Sequence, residues 1–181
     1  MEHNYSPVFW FTGLSGAGKT TTAEALLQRL KSEGKRAELL DGDVLRAVIS
    51  KGLGFSREDR MENIRRIVYI SKLLSRNGVI VLVSAITPYQ AMRDYARSEL
   101  PGYTEIYVDC PLEECERRDV KGLYAKARSA QLANFTGVGD PYEVPQCPDL
   151  VLRTDRTTLE ENMQRIRKLI SSSGLEWRGP V

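Results

Sequence analysis

The chain has 181 residues, of which 41% are hydrophobic and 28% charged, and its formal net charge is +2. This length predicts one domain with a buried core, and so small a net charge gives little support to nucleic-acid binding through a broad basic surface. The longest apolar run, residues 79–83, is far shorter than the roughly 20 residues of a membrane-spanning helix. We therefore expect a globular protein that neither crosses a membrane nor binds nucleic acid.

The hydrophobic pattern predicts five strands alternating with five helices. The predicted strands are residues 8–12, 37–41, 79–84, 104–109 and 149–154, and the predicted helices are 19–33, 56–76, 89–99, 112–118 and 158–171. Parallel neighbours need long crossovers that helices usually supply, so this alternation predicts an α/β fold around a parallel sheet. Residues 52–56 and 119–144 are expected to be irregular, and a surface segment as long as the second is typically functional.

The predicted helix 56–76 begins with Ser56 and Asp59, which have the spacing of a capping box. Its apolar side chains recur at helical spacing, so that face should pack on the sheet. The opposite face carries Arg57, Glu58, Arg60, Glu62, Arg65 and Arg66. A solvated face with local ion pairs is the simplest interpretation of that pattern.

Two further features concern the cellular compartment. The first residues contain no basic stretch ahead of an apolar run and cleavage site, so the sequence predicts a cytoplasmic protein. The three cysteines, Cys110, Cys115 and Cys147, are odd in number and lack CxxC spacing. We expect them to be reduced and buried thiols rather than a disulfide framework or a zinc site.

Residues 13–20 read GLSGAGKT, which matches GxxxxGK[ST], and they lie directly between a predicted strand and a predicted helix. The glycines let backbone N–H groups turn inward, the helix N-terminus adds positive potential, and the lysine meets the β- and γ-phosphates. The loop predicts a site for a nucleoside triphosphate, later assigned to ATP by resemblance, formed by Gly13, Leu14, Ser15, Gly16, Ala17, Gly18, Lys19, Thr20 and Thr21, with the Thr20 hydroxyl offered to Mg²⁺. A Gly-rich turn without a ligand is the alternative.

The loop alone does not distinguish kinases, GTPases and motor ATPases. No NKxD occurs in the chain, and no DxxG follows the strand ending at Ser84, so a GTP switch is disfavoured. LLDGD, at residues 39–43, places Asp41 at the carboxyl end of the second strand, the edge at which open α/β sheets bind ligands. Asp41 could hold a magnesium-bound water or accept the proton of an attacking hydroxyl. Alternatively, Asp41 and Asp43 shape a turn and cap the next helix.

Longer motifs resemble the adenylylsulfate kinase family. They are DGDVLR (41–46), LGFSREDRMENIRRI (53–67), ITPY (86–89), YVDCPLEECERRDVKGLYAKAR (107–128) and FTGVGDPYEVP (135–145). The resemblance runs from about residue 9 to 152 and is much more restrictive than the phosphate loop. It implies a P-loop kinase-type three-layer sandwich, a parallel sheet flanked by helices, forming a single domain over residues 1–181 with a mobile lid at about 119–144.

The reaction implied by the resemblance is transfer of the γ-phosphate of ATP, with Mg²⁺, to the 3′-hydroxyl of adenosine 5′-phosphosulfate (APS). The product is PAPS, made in sulfate assimilation. Lys19 and Asp41 would be the catalytic residues, Thr20 would ligate Mg²⁺, and Asp41 would hold it through water. The family also suggests a homodimer.

The resemblance also implies the binding residues. Those for APS are Asp43, Arg46, Phe55, Arg60, Asn63, Ile86, Thr87, Lys121, Leu123 and Phe135, and Arg117 and Arg118 would lie near ATP. The two phenylalanines would enclose the adenine by stacking.

The sequence departs from the family pattern at Thr87, which stands where the family often has a serine that is phosphorylated in some members. Gly139 and Val44 are two further departures from the family pattern, and they concern the detailed contacts with the substrate. We expect direct in-line transfer without a phosphorylated Thr87. Two rival functions are a related P-loop kinase acting on another nucleotide or small anionic alcohol, and a non-catalytic nucleotide-binding regulatory subunit.

Overall fold

A computed structural model of the chain describes residues 5–132 and 134–172. The strands are β1 (Val8–Thr12), β2 (Ala37–Asp41), β3 (Ile80–Ser84), β4 (Tyr103–Asp109) and β5 (Leu150–Arg153). The helices are α1 (Lys19–Ser32), α2 (Gly42–Val48), α3 (Arg57–Arg76), α4 (Gln90–Glu99), α5 (Leu112–Arg118), α6 (Leu123–Arg128) and α7 (Leu159–Ser172).

All five strands run parallel in one sheet with the order β2-β3-β1-β4-β5. The central strand, β1, is buried over its whole length because both of its faces are covered by helices. Its odd and even residues therefore enter different cores. Phe9 and Phe11 pack with the cluster that includes Leu26 of α1, whereas Trp10 packs with the cluster that includes Ile67 of α3. The predicted three-layer α/β architecture is confirmed.

Several local predictions are also confirmed. β1 and β2 have the predicted bounds, and the other strands differ by one or two residues at their ends. Ser56 is the N-cap of α3, and its Oγ accepts a hydrogen bond from the backbone N–H of Asp59 at 3.1 Å. No helix in the described part of the chain is long and apolar enough to cross a membrane.

Four expectations need correction. The turn at Asp41 continues into α2, which the sequence pattern did not predict, and the segment 119–144 is not wholly irregular because it contains α6. Arg60 is buried rather than part of the solvated face of α3. Cys110 and Cys115 are buried as expected, but Cys147 is exposed.

The carboxyl ends of the strands place several polar groups at one edge of the sheet. Asp41 and Ser84 are direct register partners at the ends of β2 and β3. The phosphate loop follows β1, which lies next to β3 in the sheet. In open parallel sheets ligands bind at this edge, outside the carboxyl ends of the strands.

Candidate active site

The conformation of the phosphate loop depends on glycine at two positions. Gly13 has a φ of 148°, and a Cβ there would lie 2.4 Å from the carbonyl oxygen of Val108. Gly18 has a φ of 96° and is the N-cap of α1, where no side chain caps the helix. The first N–H groups of α1 therefore have no partner within the helix and can meet an anion.

Lys19 is buried at the start of α1, and its Nζ donates to the carbonyl oxygen of Leu14 at 2.7 Å. Burial lowers the pKa of Lys19 from 10.5 to about 8, and the negative charge of Asp43 opposes that shift. A phosphate beside Nζ would supply the negative charge that the buried ammonium needs. This position is therefore prepared for an anionic ligand.

Three oxygen-bearing side chains meet beside the loop. The hydroxyl of Thr20 donates to Asp41 Oδ2 at 2.8 Å and lies 2.9 Å from the hydroxyl of Ser84. Because Thr20 has a single hydroxyl proton, Ser84 donates to Thr20. Asp41 is also the N-cap of α2, so the capping alternative is correct and compatible with a place in the site.

Hydroxyl and carboxylate oxygens are the ligands that Mg²⁺ prefers. The described residues contain no group of three or more His, Cys, Asp or Glu side chains that could hold a metal ion. Thr20 and Asp41 consequently fit a Mg²⁺ whose shell is completed by nucleotide phosphates and water, rather than one held by the protein alone.

A cavity of about 540 Å³ extends from the loop to α2, α3 and the segment after α5. It is lined by all ten of the residues implied for APS: Asp43, Arg46, Phe55, Arg60, Asn63, Ile86, Thr87, Lys121, Leu123 and Phe135. Ser15, Gly16, Gly18, Lys19, Thr20, Thr21 and Arg118 line it from the ATP side. Gly13, Leu14, Ala17 and Arg117 are not among its lining residues. The tertiary structure thus brings the two predicted sets together.

Phe55 is the accessible aromatic wall of the cavity, with 43% of its surface exposed. The guanidinium carbon of Arg46 lies 4.6 Å from the centre of the Phe55 ring, and Arg46 Nη1 donates to the carbonyl oxygen of Gly54 at 2.7 Å. Burial, and next the positive charge of Arg60, lower the pKa of Arg46. A cation of this kind beside an aromatic face can bind an anionic ligand that carries a planar base.

Asn63 and Phe135 are buried parts of the cavity wall. Asn63 Oδ1 is buried without a hydrogen-bond partner among the described residues, so a donor on a ligand would satisfy it. The Phe135 ring meets the Tyr124 ring edge to face, with 4.9 Å between ring centres. Phe135 therefore has a packing role as well as a position in the cavity.

Arg60 uses its donors to hold the segment that covers the cavity. Its Nη1 donates to Thr136 Oγ1 at 3.0 Å, its Nη2 donates to the carbonyl oxygen of Asn134 at 2.5 Å, and its Nε donates to the carbonyl oxygen of Phe55 at 3.0 Å. These contacts explain why it is buried. Arg60 joins α3 to the predicted lid while still facing the cavity.

The predicted lid, residues 119–144, touches both sides of the cavity. Lys121 forms an ion pair with Asp43 of α2. The hydroxyl of Tyr124 donates to the carbonyl oxygen of Ser15 in the phosphate loop at 2.9 Å. The Asp119 carboxylate accepts from the backbone N–H of Tyr124 at 3.0 Å and so satisfies a donor in the first turn of α6. The lid is therefore seated over the cavity in this structure.

The two arginines implied for ATP have different surroundings. Arg118 Nη2 donates to the carbonyl oxygen of Thr154 at 2.9 Å, and Thr154 Oγ1 donates to the carbonyl oxygen of Ala17 at 2.7 Å. Arg117 is exposed and pairs with Glu114 at 2.7 Å. Arg118 is thus tied to the phosphate loop, whereas the role of Arg117 stays a prediction.

Thr87 is buried and lies in the left-handed region with a φ of 48°. Its Oγ1 accepts from Trp10 Nε1 at 2.9 Å and donates to the carbonyl oxygen of Ala85 at 3.3 Å. The hydroxyl is therefore already engaged as both acceptor and donor.

Sequence reasoning missed Ser84, Tyr124, Thr136 and Thr154 as residues of the site. Tyr124 and Thr136 stand inside two of the quoted motifs, which was the available signal. Ser84 ends a predicted strand at the ligand-binding edge, and that position could have identified it. Thr154 ends the predicted strand 149–154 at the same edge, although its partner Ala17 lies 137 residues away.

A glycine-rich loop between β1 and α1, a parallel sheet, and a lid over a cavity that begins at the loop define the class: this protein is a P-loop kinase. The family described as Adenylylsulphate kinase matches residues 5–153.

An adenylyl-sulfate kinase of Picosynechococcus is 55% identical over 174 residues, covering 96% of this chain and 98% of that protein. Another from Rippkaea orientalis is 53% identical over 165 residues, with 91% of each protein covered. The structure of Mycobacterium tuberculosis APS kinase in complex with AMPPNP and APS aligns with a TM-score of 0.89 and 43% identity, covering 92% of this chain and 98% of that one. The chain belongs to the adenylylsulfate kinase family.

Proposed function

We propose that this protein transfers the γ-phosphate of ATP to the 3′-hydroxyl of APS and releases ADP and PAPS. The observation that carries the proposal is the single cavity that joins Lys19 and Asp41 to all ten acceptor-side residues. A P-loop alone supports nucleotide binding, but this second set of residues supplies a place for an acceptor. Membership of the adenylylsulfate kinase family supports APS as that acceptor.

On the donor side, the N-terminus of α1 and the loop amides bind the ATP phosphates. Lys19 leaves the Leu14 carbonyl to meet the β- and γ-phosphates, where its charge balances the charge that develops during transfer. Thr20 would offer its hydroxyl to Mg²⁺, and Asp41 would hold it through water. When bound, Mg²⁺ neutralises phosphate charge and orients the transferring group.

On the acceptor side, Arg46 and Arg60 face the anhydride of APS, which carries negative charge. Phe55 stacks against one face of the adenine, and Phe135 bounds the other. Asn63 Oδ1 is free to accept a hydrogen bond from the acceptor. With APS bound in this way, its 3′-hydroxyl would point toward the phosphate loop, where donor and acceptor can meet in line.

In the chemical step, the 3′-oxygen attacks the γ-phosphorus as the bond to the β,γ-bridging oxygen breaks. Asp41 positions the hydroxyl, and the proton released as the new P–O bond forms passes to its carboxylate. The lid keeps water away from the transferring phosphate, and its ion pair between Lys121 and Asp43 helps to close the cavity. Direct transfer needs no phosphate on Thr87, whose hydroxyl is buried.

We also propose that residues 1–181 form one kinase domain with residues 119–144 as its lid, and that two copies form a homodimer, as the family resemblance implies. A cytoplasmic location is supported by three cysteines without a disulfide. Light scattering of the purified protein tests the dimer, and a mass of one chain would contradict it.

The deciding experiment is a panel of acceptors with γ-labelled ATP and Mg²⁺. APS should be phosphorylated with a kcat/KM far above those for AMP, adenosine, shikimate and gluconate. Lys19→Ala is the control for contaminating kinases. A higher kcat/KM for another acceptor would refute the proposed substrate and favour a related kinase. Nucleotide binding without transfer to any acceptor would favour the regulatory subunit.

A further inference from the structure

Arg93 of α4 is a charged side chain in the interior with none of its surface exposed. Within residues 5–132 and 134–172, no carboxylate oxygen lies within 4 Å of its guanidinium nitrogens. Its charge acts on the buried Glu105, where it opposes the rise that burial causes in the pKa of that carboxyl, and its guanidinium carbon lies 5.8 Å from the centre of the Tyr142 ring. A buried cation without a direct ion pair is still costly, and an apolar side chain of similar volume often serves a core equally well. Its presence therefore calls for an explanation beyond the packing of α4.

The hydrogen bonds of Arg93 connect two separate segments. Its Nη1 donates to the carbonyl oxygen of Thr87 at 2.8 Å, and its Nη2 donates to the carbonyl oxygen of Glu143 at 2.5 Å. Nη2 also donates to Gln90 Oε1 at 2.8 Å, while Nε has no partner among the described residues. The planar guanidinium presents several donors at fixed angles, so one side chain can bridge two carbonyls in a way that lysine cannot.

The first segment, residues 86–88, forms a wall of the cavity and stores backbone strain. Thr87 has a φ of 48°, a conformation that is a genuine outlier for a β-branched residue. Its hydroxyl is bound by Trp10 and its carbonyl by Arg93. Such strain persists only when the surroundings hold it in place.

The second segment, residues 140–144, is where the lid returns to the body of the protein. It is bound to the 86–90 segment by three further contacts. Glu143 N–H donates to the carbonyl oxygen of Pro88 at 2.8 Å, Gln90 N–H donates to Glu143 Oε2 at 2.5 Å, and the Tyr89 hydroxyl donates to Asp140 Oδ1 at 2.7 Å. Arg93 lies behind this junction and binds both of its sides.

We infer that Arg93 is a positioning residue for the acceptor: it holds the strained Thr87 wall and the base of the lid in one fixed relation. The inference rests on the proposed function, because it concerns how the same cavity receives APS. Arg93 is not among the residues that line the cavity, and it acts through the two carbonyls. Loss of these two hydrogen bonds should displace the cavity wall formed by residues 86–88 while leaving the phosphate loop in place. Even a small displacement of a bound reactant can lower the reaction rate strongly.

The test uses Arg93→Met and Arg93→Lys, with Lys72→Met as the control. Lys72 pairs with Glu99 at the far end of α4, so the control loosens the same helix without touching either segment. All variants carry Trp177→Phe, which leaves Trp10 as the sole tryptophan. Because Trp10 Nε1 binds the Thr87 hydroxyl, its emission reports on that wall independently of turnover.

We expect Arg93→Met to raise the KM for APS at least tenfold and the KM for ATP less than threefold, and to change the Trp10 emission of the folded protein. Arg93→Lys keeps the charge but reaches only one carbonyl. It should therefore raise the ratio of the KM for APS to the KM for ATP at least threefold. Lys72→Met should alter neither readout. If Arg93 served only stability, Arg93→Met would lower the melting temperature and leave the ratio of the KM for APS to the KM for ATP unchanged.

The inference is overturned if the ratio of KM for APS to KM for ATP rises less than threefold in Arg93→Met, or if Trp10 emission is unchanged. Should the Met variant fail to fold, the Lys variant is judged by the same threshold. An inactive parent enzyme would instead refute the proposed function, so the two failures are distinguishable.

Discussion

The exchange Asp41→Asn separates the two tasks that the structure gives to this carboxylate. Asp41 Oδ1 accepts from the backbone N–H groups of Asp43 and Val44 at 2.9 and 3.3 Å, and Oδ2 accepts from the Thr20 hydroxyl at 2.8 Å. Asparagine can keep the first pair of contacts through its carbonyl oxygen. Its amide nitrogen then faces the Thr20 hydroxyl as a donor, so that hydroxyl must reverse its direction and use a lone pair needed for Mg²⁺.

The two consequences differ in size. Asparagine and aspartate are nearly equal as N-caps, so the loss of stability should stay below about 1 kcal/mol. The negative charge beside the proposed metal and the proton acceptor are both removed, and positioned groups of this kind contribute roughly 10²-fold or more. We therefore expect kcat to fall by at least about 10²-fold, which corresponds to about 2.7 kcal/mol in the barrier.

A coupled assay of ADP release at saturating APS measures kcat, and thermal unfolding measures stability. Asp109→Asn is the matched control, because Asp109 ends β4 at the same edge of the sheet, pairs with Arg153 at 3.4 Å and does not line the cavity. The control should lose less than about threefold. A loss of less than about threefold in Asp41→Asn would refute the assignment and direct attention to Asp43.

Three other residues yield predictions. Lys19→Ala should abolish turnover in a protein that circular dichroism shows to be folded, since its charge serves the transferring phosphate; near-normal turnover would exclude that role. The Lys19 pKa of about 8 predicts that ATP binding takes up a proton and weakens above pH 8, because only the charged form pairs with phosphate. Calorimetry at pH 9 in two buffers of different ionisation enthalpy measures this uptake, and finding none contradicts it. Arg60→Ala should raise the KM for APS much more than that for ATP, since Arg60 holds the lid over the acceptor cavity; equal increases would argue against this. Thr87→Ala should keep activity within about tenfold, or about 1.4 kcal/mol in the barrier, and intact-mass analysis after incubation with Mg·ATP should show no stoichiometric phosphate. Transfer of label from Thr87 to APS at the turnover rate would disprove direct transfer.

The sequence by itself determined the α/β class, the order of the elements and the phosphate loop, because these depend on local spacing. The period-2 and period-3.6 patterns located the strands and long helices, and GLSGAGKT was recognisable from its neighbours alone. The acceptor residues followed from long, restrictive motifs rather than from periodicity. Two short helices, α2 and α6, were missed because each begins directly at glycine-containing sequence that reads as a turn, and because their first turns depend on hydrogen bonds to the carboxylates of Asp41 and Asp119.

Only the tertiary structure decided which partner each polar side chain meets. Helical spacing places Arg60 on the charged face of α3, yet Thr136, 76 residues away, lies within hydrogen-bond distance and draws it into the interior. The strain at Thr87 likewise depends on Trp10, 77 residues earlier, together with Arg93 on the following helix. A sequence pattern reports the environment averaged over a turn or a strand, whereas hydrogen bonds and buried charge depend on contacts between distant segments that exist only after the chain has folded.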